Sequence, residues 1–128
     1  MPDIVDRDLP IEHQDVFEVV QVTAETALES EVAADIVHVA PGQTSKTHRH
    51  NEAETVLYIL DGAGHISVGD ERLPVVKGDR LRIGKGVFHN VSTGHDSSLA
   101  FLSVQTPPIL DKSTGRFDLE PLAGGQPT

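Results

Sequence analysis

"TVLYILDGAGHISVGDERLPVVKGDRLRI", residues 55–83, sets the fold class. The run "TVLYIL" (55–60) has strand composition and stops at Asp61-Gly62, a hairpin-turn pair. "HISV" (65–68) follows and reaches Gly69-Asp70, a second turn pair. "ERLPVV" (71–76) carries an internal proline, which cannot donate to a ladder and so marks an edge or a bulge. Lys77-Gly78-Asp79 turns the chain again, and "RLRI" (80–83) alternates charged and apolar residues as a half-buried strand does. Links this short pair strands antiparallel, because parallel neighbours need a crossover of a dozen or more residues.

The same pattern extends in both directions. Upstream, "VFEVVQV" (16–22) and "VAADIVHVA" (32–40) are β-branched runs, the second ended by Pro41-Gly42. "TAETALES" (23–30) holds better helix formers but spans only two turns, so it reads as a connection. Downstream, "VFHNVS" (87–92) and "LAFLSVQ" (99–105) are strands, and Pro107-Pro108 ends the last of them. Residues 1–15 are polar and acidic, an arm or short edge strand. Residues 109–128 are a polar tail finishing in "AGGQPT", which reads as frayed. About eight short strands with Gly, Asp and Pro turns imply an all-β sandwich or closed barrel over residues 16–108.

Composition narrows the function classes. A chain of 128 residues suits one domain. It has no cysteine, so disulfides and thiolate metal sites are excluded and any metal must take nitrogen and oxygen ligands. The formal net charge is −10 and no basic stripe relieves it, which argues against nucleic acid and against anionic membranes. The chain holds no apolar run of spanning length and opens without a charged-then-apolar leader, which fits a cytoplasmic protein.

Just before the opening stretch stands "KTHRHNEAE" (46–54). The plain reading is a polar surface loop. The chemical reading starts from spacing: residues two apart on a strand share a face, so His48 and His50 project together, roughly 7 Å apart along the chain. Two imidazoles can lean from there onto one ion. Thr47 and Arg49 then face the other way. Glu52 and Glu54 follow closely, and His89 sits on a later strand that an antiparallel barrel can bring alongside.

These residues resemble the paired motifs of the cupins. Gly42, His48, His50, Glu54 and Gly62 fall at the positions of the first motif, and Gly78-Asp79, Gly86 and His89 at those of the second. "LYILDGAG" and "TPP" also resemble small single-domain cupins, and the resemblance covers residues 16 to 108. It implies a jelly-roll, or double-stranded β-helix, barrel. It also implies one divalent metal ion (Fe, Mn, Ni, Zn, Co or Cu) on His48, His50, Glu54 and His89. The second-motif proline is Gly84 here and its last asparagine is Thr93, changes expected to loosen a loop. The family's acidic or glutamine ligand lies four or five residues after the second histidine. Glu54 fits the shorter spacing and Thr55 occupies the longer, with Glu52 a substitute; if Thr55 faces in, the set becomes three histidines plus water. A one-residue slip of register exchanges the faces of a strand and so decides between them.

The activity implied is a mononuclear metal enzyme acting on a small oxygenated molecule, with a dioxygenase as the leading version. A non-catalytic module binding a sugar or carboxylate is the alternative, motivated by the lack of an inward acid or base. Small cupins often dimerise, and the arm and edge strands here fit a homodimer. Among the remaining residues, His65 reads as pocket lining or surface hairpin, and His38 and Tyr58 as core or pocket. Phe88 and Phe101 read as packing residues, Arg80 and Arg82 as the outer face, and His13 and His95 as solvent-exposed.

Overall fold

The computed structural model describes residues 4–123. Among them are twelve strands and no helix. They are β1 (Ile11–Gln14), β2 (Phe17–Gln21), β3 (Ala33–Val39), β4 (His48–Arg49), β5 (Glu54–Val68) and β6 (Glu71–Val76). Then follow β7 (Arg80–Ile83), β8 (His89–Ser92), β9 (Leu99–Thr106), β10 (Leu110–Asp111), β11 (Arg116–Phe117) and β12 (Glu120–Pro121). Every pairing is antiparallel, as the short links require. No helix of the described residues is long and apolar enough to cross a membrane.

The architecture turns on β5. Its first half pairs with β9 and β7, and β9 continues through β3 and β2 to β1 at the edge. Its second half pairs with β6 and β8, and β8 continues through β4 to β12. One long strand therefore belongs to two facing sheets, the all-β jelly-roll barrel expected from the sequence.

This corrects the reading of Asp61-Gly62 as a hairpin. The chain does not reverse there: the ladder to β9 shifts register between Ile59 and Asp61, and the strand runs on. Gly62 has φ +82, a conformation that serves a bulge as readily as a turn. A Cβ at that position would lie 1.9 Å from the Ser98 carbonyl oxygen, so only glycine lets β5 bend close over the loop before β9. The bulge is what carries β5 from one sheet to the other. The turns at Gly69-Asp70 and at 77–79 stand as read, and β6, with Pro74, pairs on one side only.

Period-two alternation places the core. Thr55, Leu57 and Ile59 point inward from β5, Leu81 and Ile83 from β7, and Leu99, Phe101, Ser103 and Gln105 from β9. The apolar members join Val37, Val39, Ile66, Val75 and Val91 in one cluster between the sheets. Burying each such side chain contributes about 1.5–3 kcal/mol. Phe101 packs there as expected.

The inward face of the first sheet changes character along its strands. Cross-strand rungs run Phe17–Val39–Leu99, then Val19–Val37–Phe101, then Gln21–Asp35–Ser103–Leu57, then Ala33–Gln105–Thr55. Two apolar layers thus give way to two that carry polar side chains, at a single end of the barrel. A cavity opens at that end.

The segment after Pro108, read as a tail, folds back on the barrel. β10 and β11 form a hairpin, β12 adds to β4, and Asp118 is buried. The final residues 124–128 and residues 1–3 lie outside the described part, so the expected fraying of "AGGQPT" does too, except at Ala123. Thr93 does not loosen its loop: its hydroxyl donates to the Ala40 carbonyl at 2.6 Å and accepts from the Gln43 amide at 3.0 Å.

Candidate metal centre

His48 and His89 are opposite one another where β4 pairs with β8, and His50 follows β4 directly. His48 stands edge to face with the other two rings, at centroid distances of 4.6 Å to His89 and 5.1 Å to His50, and His50 and His89 are tilted at 5.2 Å. One ring nitrogen from each lies within 4.8 Å of the others, so the three could hold one metal ion. Thr47 and Arg49 do face away from this cluster, but not into open solvent. Thr47 is buried and accepts from the Asn90 amide at 2.8 Å, and Arg49 lies 4.7 Å over the half-buried Phe88 ring.

Each ring is oriented through its Nδ1. That atom donates to the Lys46 carbonyl in His48 (3.2 Å), the Asp118 carbonyl in His50 (2.7 Å) and the Val87 carbonyl in His89 (2.9 Å). A carbonyl oxygen only accepts, so the proton sits on Nδ1 and Nε2 keeps its lone pair, which in His50 accepts from the Gln105 amide at 3.4 Å. This is the arrangement that fixes a metal-binding histidine in tautomer and direction. Burial disfavours the charged rings. It lowers the pKa of His50, lowers that of His48 with help from His50, and brings His89 down to about 4. All three are therefore neutral near pH 7, the state a metal requires.

The loop between the second histidine and β5 is held by Asp118. Its carboxylate accepts from the backbone amides of Asn51 (2.7 Å), Glu52 (3.0 Å) and Ala53 (3.0 Å). Burial alone would raise this carboxyl, but those three amides outweigh it and its pKa is lowered.

Glu54, expected as the fourth ligand, is not among the gathered side chains. The register of β5 is the reason: alternation turns Thr55 inward, 4% exposed, and leaves Glu54 on the exposed outer face. Glu52 is exposed as well and pairs with Arg116. Accordingly, Glu54→Gln should change Zn²⁺ affinity by less than about twofold in calorimetric titration, the change expected of an exposed charge. A tenfold loss would return Glu54 to the site.

A cavity of about 110 Å³ lies over the three rings. Its walls include Asp35, Thr55, Ser103 and Gln105 on the polar side and Phe17, Val37, Leu57 and Phe101 on the apolar side. Among the described residues, neither Lys nor Arg lines it. Asp35 also lines a second hollow of about 110 Å³, toward Glu12 and Gln21, so it stands where the two meet. Burial, aided by the like charge of Glu12, pushes the Asp35 carboxyl up to about 6.

Asp35 and Gln105 were passed over in the sequence, although each keeps the inward phase of its strand, with Val37 and Val39 or with Phe101 and Ser103. Asp118 had no comparable signal. His38 and Tyr58, read as core or pocket, are exposed because their strands turn the neighbouring residues inward. His65 is half-buried outside the cavity wall. His13, His95, Arg80 and Arg82 are exposed, as expected.

Residues 35–105 match the family model described as a cupin domain. An uncharacterised protein of Methanocaldococcus jannaschii is 29% identical over 76 residues, which span 59% of this chain and 61% of that relative's length. A structure described as a predicted oxalate decarboxylase from Thermotoga maritima superposes with a TM-score of 0.72 at 20% identity, covering 82% of this chain and 100% of that one. The polyketide cyclase RemF of Streptomyces resistomycificus gives a TM-score of 0.71 at 22% identity, covering 84% and 81%. At such identities the likeness shows the fold. The family match covers more than half of the chain and contains all three clustered histidines: the chain belongs to the cupin family.

Proposed function

We propose that this cupin is a mononuclear metal enzyme acting on a small, neutral, oxygenated molecule, with Asp35 as its proton-transfer group. The observation that carries the reading is the company Asp35 keeps. A carboxyl with a pKa near neutrality shares one cavity with three neutral imidazoles whose ring nitrogens converge. That is the combination of poised acid/base and metal-ligating groups expected of an active site.

His48, His50 and His89 would hold the ion, and the donor set fits one: three neutral nitrogens, their tautomers fixed by backbone carbonyls. When bound, such an ion supplies Lewis acidity and, if it is iron, a place for O₂. The chain's own residues do the rest. The Asp35 carboxylate takes a proton from a C–H or O–H of the bound molecule and can return it. The apolar wall holds the carbon skeleton and limits water. A cavity of about 110 Å³ without Lys or Arg leaves an anionic substrate no counter-charge beyond the ion, and Asp35 opposes it further, so neutral diketones, diols and phenols fit better than polycarboxylates or phosphates. Asp35 also supplies the inward acid whose lack favoured a purely binding role.

The test loads the protein with Fe(II), Mn(II) or Zn(II) and offers small diketones, catechols and flavonoids. O₂ uptake reads the dioxygenase version, and hydrogen–deuterium exchange of substrate C–H in D₂O reads proton transfer alone. Asp35→Asn should slow exchange by about 10²–10³-fold with metal content unchanged. Exchange at the wild-type rate in Asp35→Asn would remove Asp35 from the chemistry. Absence of both activities over the whole panel would remove the enzyme reading.

The same variant has a stability signature. A carboxyl whose folded pKa is raised favours folding below its unfolded value and loses that advantage as pH climbs through about 6. Asp35→Asn should therefore match the wild type near pH 4 and exceed it near pH 8 by about 1 kcal/mol, after allowance for partial solvent screening.

A further inference from the structure

We infer that Gln105 is the fourth protein donor of the metal centre, from a strand outside both cupin motifs, in place of the acidic residue that the first motif would supply. This rests on the metal reading of the three histidines and adds to it a ligand that neither the motifs nor the register of β5 provides.

The argument begins with what Gln105 touches. It is 8% exposed and points inward from β9, and its side-chain amide nitrogen lies 3.4 Å from His50 Nε2. Nε2 is the atom of His50 that a metal would use, because Nδ1 is committed to the Asp118 carbonyl. The amide end of Gln105 thus already stands beside the point where the imidazoles converge.

The second observation is Thr55. Its hydroxyl is buried and finds no hydrogen-bond partner among the described residues. A buried hydroxyl without a partner is costly, so the inward end of this ladder is polar and leaves room for a donor from across it. Thr55 is directly opposite Gln105 in the β5–β9 ladder, and both face the cavity. Side chains so paired have Cβ atoms about 5 Å apart, within reach of an amide.

An amide turned by 180° about its last torsion exchanges its NH₂ and oxygen ends at almost no steric cost. As it stands, the Gln105 NH₂ donates to the His50 lone pair. Once that lone pair is engaged by an ion, the NH₂ has no acceptor there and the positive charge repels it. Turned over, Gln105 presents Oε1 to the ion, an oxygen donor of the kind divalent metals accept. A longer acid at position 55 would crowd Gln105. The short Thr55 leaves that space, and Gln105 fills it from across the ladder.

The experiment titrates the metal-free protein with Co²⁺ and Zn²⁺, reading affinity by calorimetry and ligand geometry by the visible d–d bands of Co²⁺. Gln105→Leu removes the donor at similar volume. Gln105→Glu keeps an oxygen in place and adds charge. The inference expects Gln105→Leu to lose about 10- to 100-fold in affinity with altered d–d bands. It expects Gln105→Glu to bind at least as tightly as the wild type, with its own shifted spectrum. A role confined to packing or to bonding His50 leaves the d–d bands of both variants unchanged, and that result overturns it. Should Gln105→Leu fail to fold, the Gln105→Glu spectrum decides alone, shifted in support or unshifted against. If wild-type protein binds neither ion, the metal reading itself fails, an outcome plainly different from binding that ignores position 105.

Discussion

Alanine at position 89 is expected to lower affinity for Zn²⁺ or Co²⁺ by two to three orders of magnitude. His89 is the one clustered histidine that the second motif delivers, and it faces His48 across the β4–β8 pair. Four-ligand zinc sites bind with apparent free energies of about 10–16 kcal/mol, so one ligand carries about 3–4 kcal/mol, and each 1.4 kcal/mol is about a tenfold change. Retained affinity in His89→Ala, at the same stoichiometry, would place the ion elsewhere and dissolve the site. The wild type should also hold metal well below the pH at which free imidazole protonates. Burial lowers the His89 pKa to about 4, and those of His48 and His50 are lowered too, so proton-driven release is expected below pH 6.5. Without metal the same shift acts on stability. The folded ring resists a proton that the unfolded ring takes, so the metal-free protein weakens as pH falls from about 6.5 to about 4, by about 3 kcal/mol from His89 alone.

The second large effect belongs to a residue that touches no metal. Asp118→Ala should destabilise the fold by about 3–4 kcal/mol in urea denaturation, because it strips the acceptor from three backbone amides at 51–53. Asp118→Asn keeps one acceptor oxygen and should lose about half as much. The damage should spread to the site, since the backbone carbonyl of residue 118 itself accepts the His50 Nδ1 proton, and a 10- to 100-fold loss of metal affinity is the expected companion. The pH sign follows from the lowered pKa: the stabilisation is present above the ordinary carboxylate range and disappears as acid protonates Asp118. A loss below about 1 kcal/mol would mean that the loop after His50 is held by something other than this carboxylate.

Local pattern carried most of the strand assignments, and the places where it failed share a cause. Asp61-Gly62 supplies a positive φ, and a positive φ is equally at home in a hairpin and in a bulge. The choice belongs to the Ser98 carbonyl beneath it, a contact made from across the loop. The segment after Pro108 looks like a tail because its strands are two residues each and its anchoring residue is an ordinary aspartate. Nothing local announces that Asp118 will cap a loop 65 or more residues away.

By itself, the sequence determined the all-β class, the antiparallel pairing and the gathering of His48, His50 and His89, because those follow from turn chemistry, alternation and two motifs with fixed spacing. Only the tertiary structure decided that Thr55 faces inward and Glu54 outward, that Asp35 and Gln105 share the cavity, and that Asp118 holds the histidine loop. The physical reason is that a side chain's partners in a sheet are set by the register of strands distant in sequence, and register is a property of the assembled barrel.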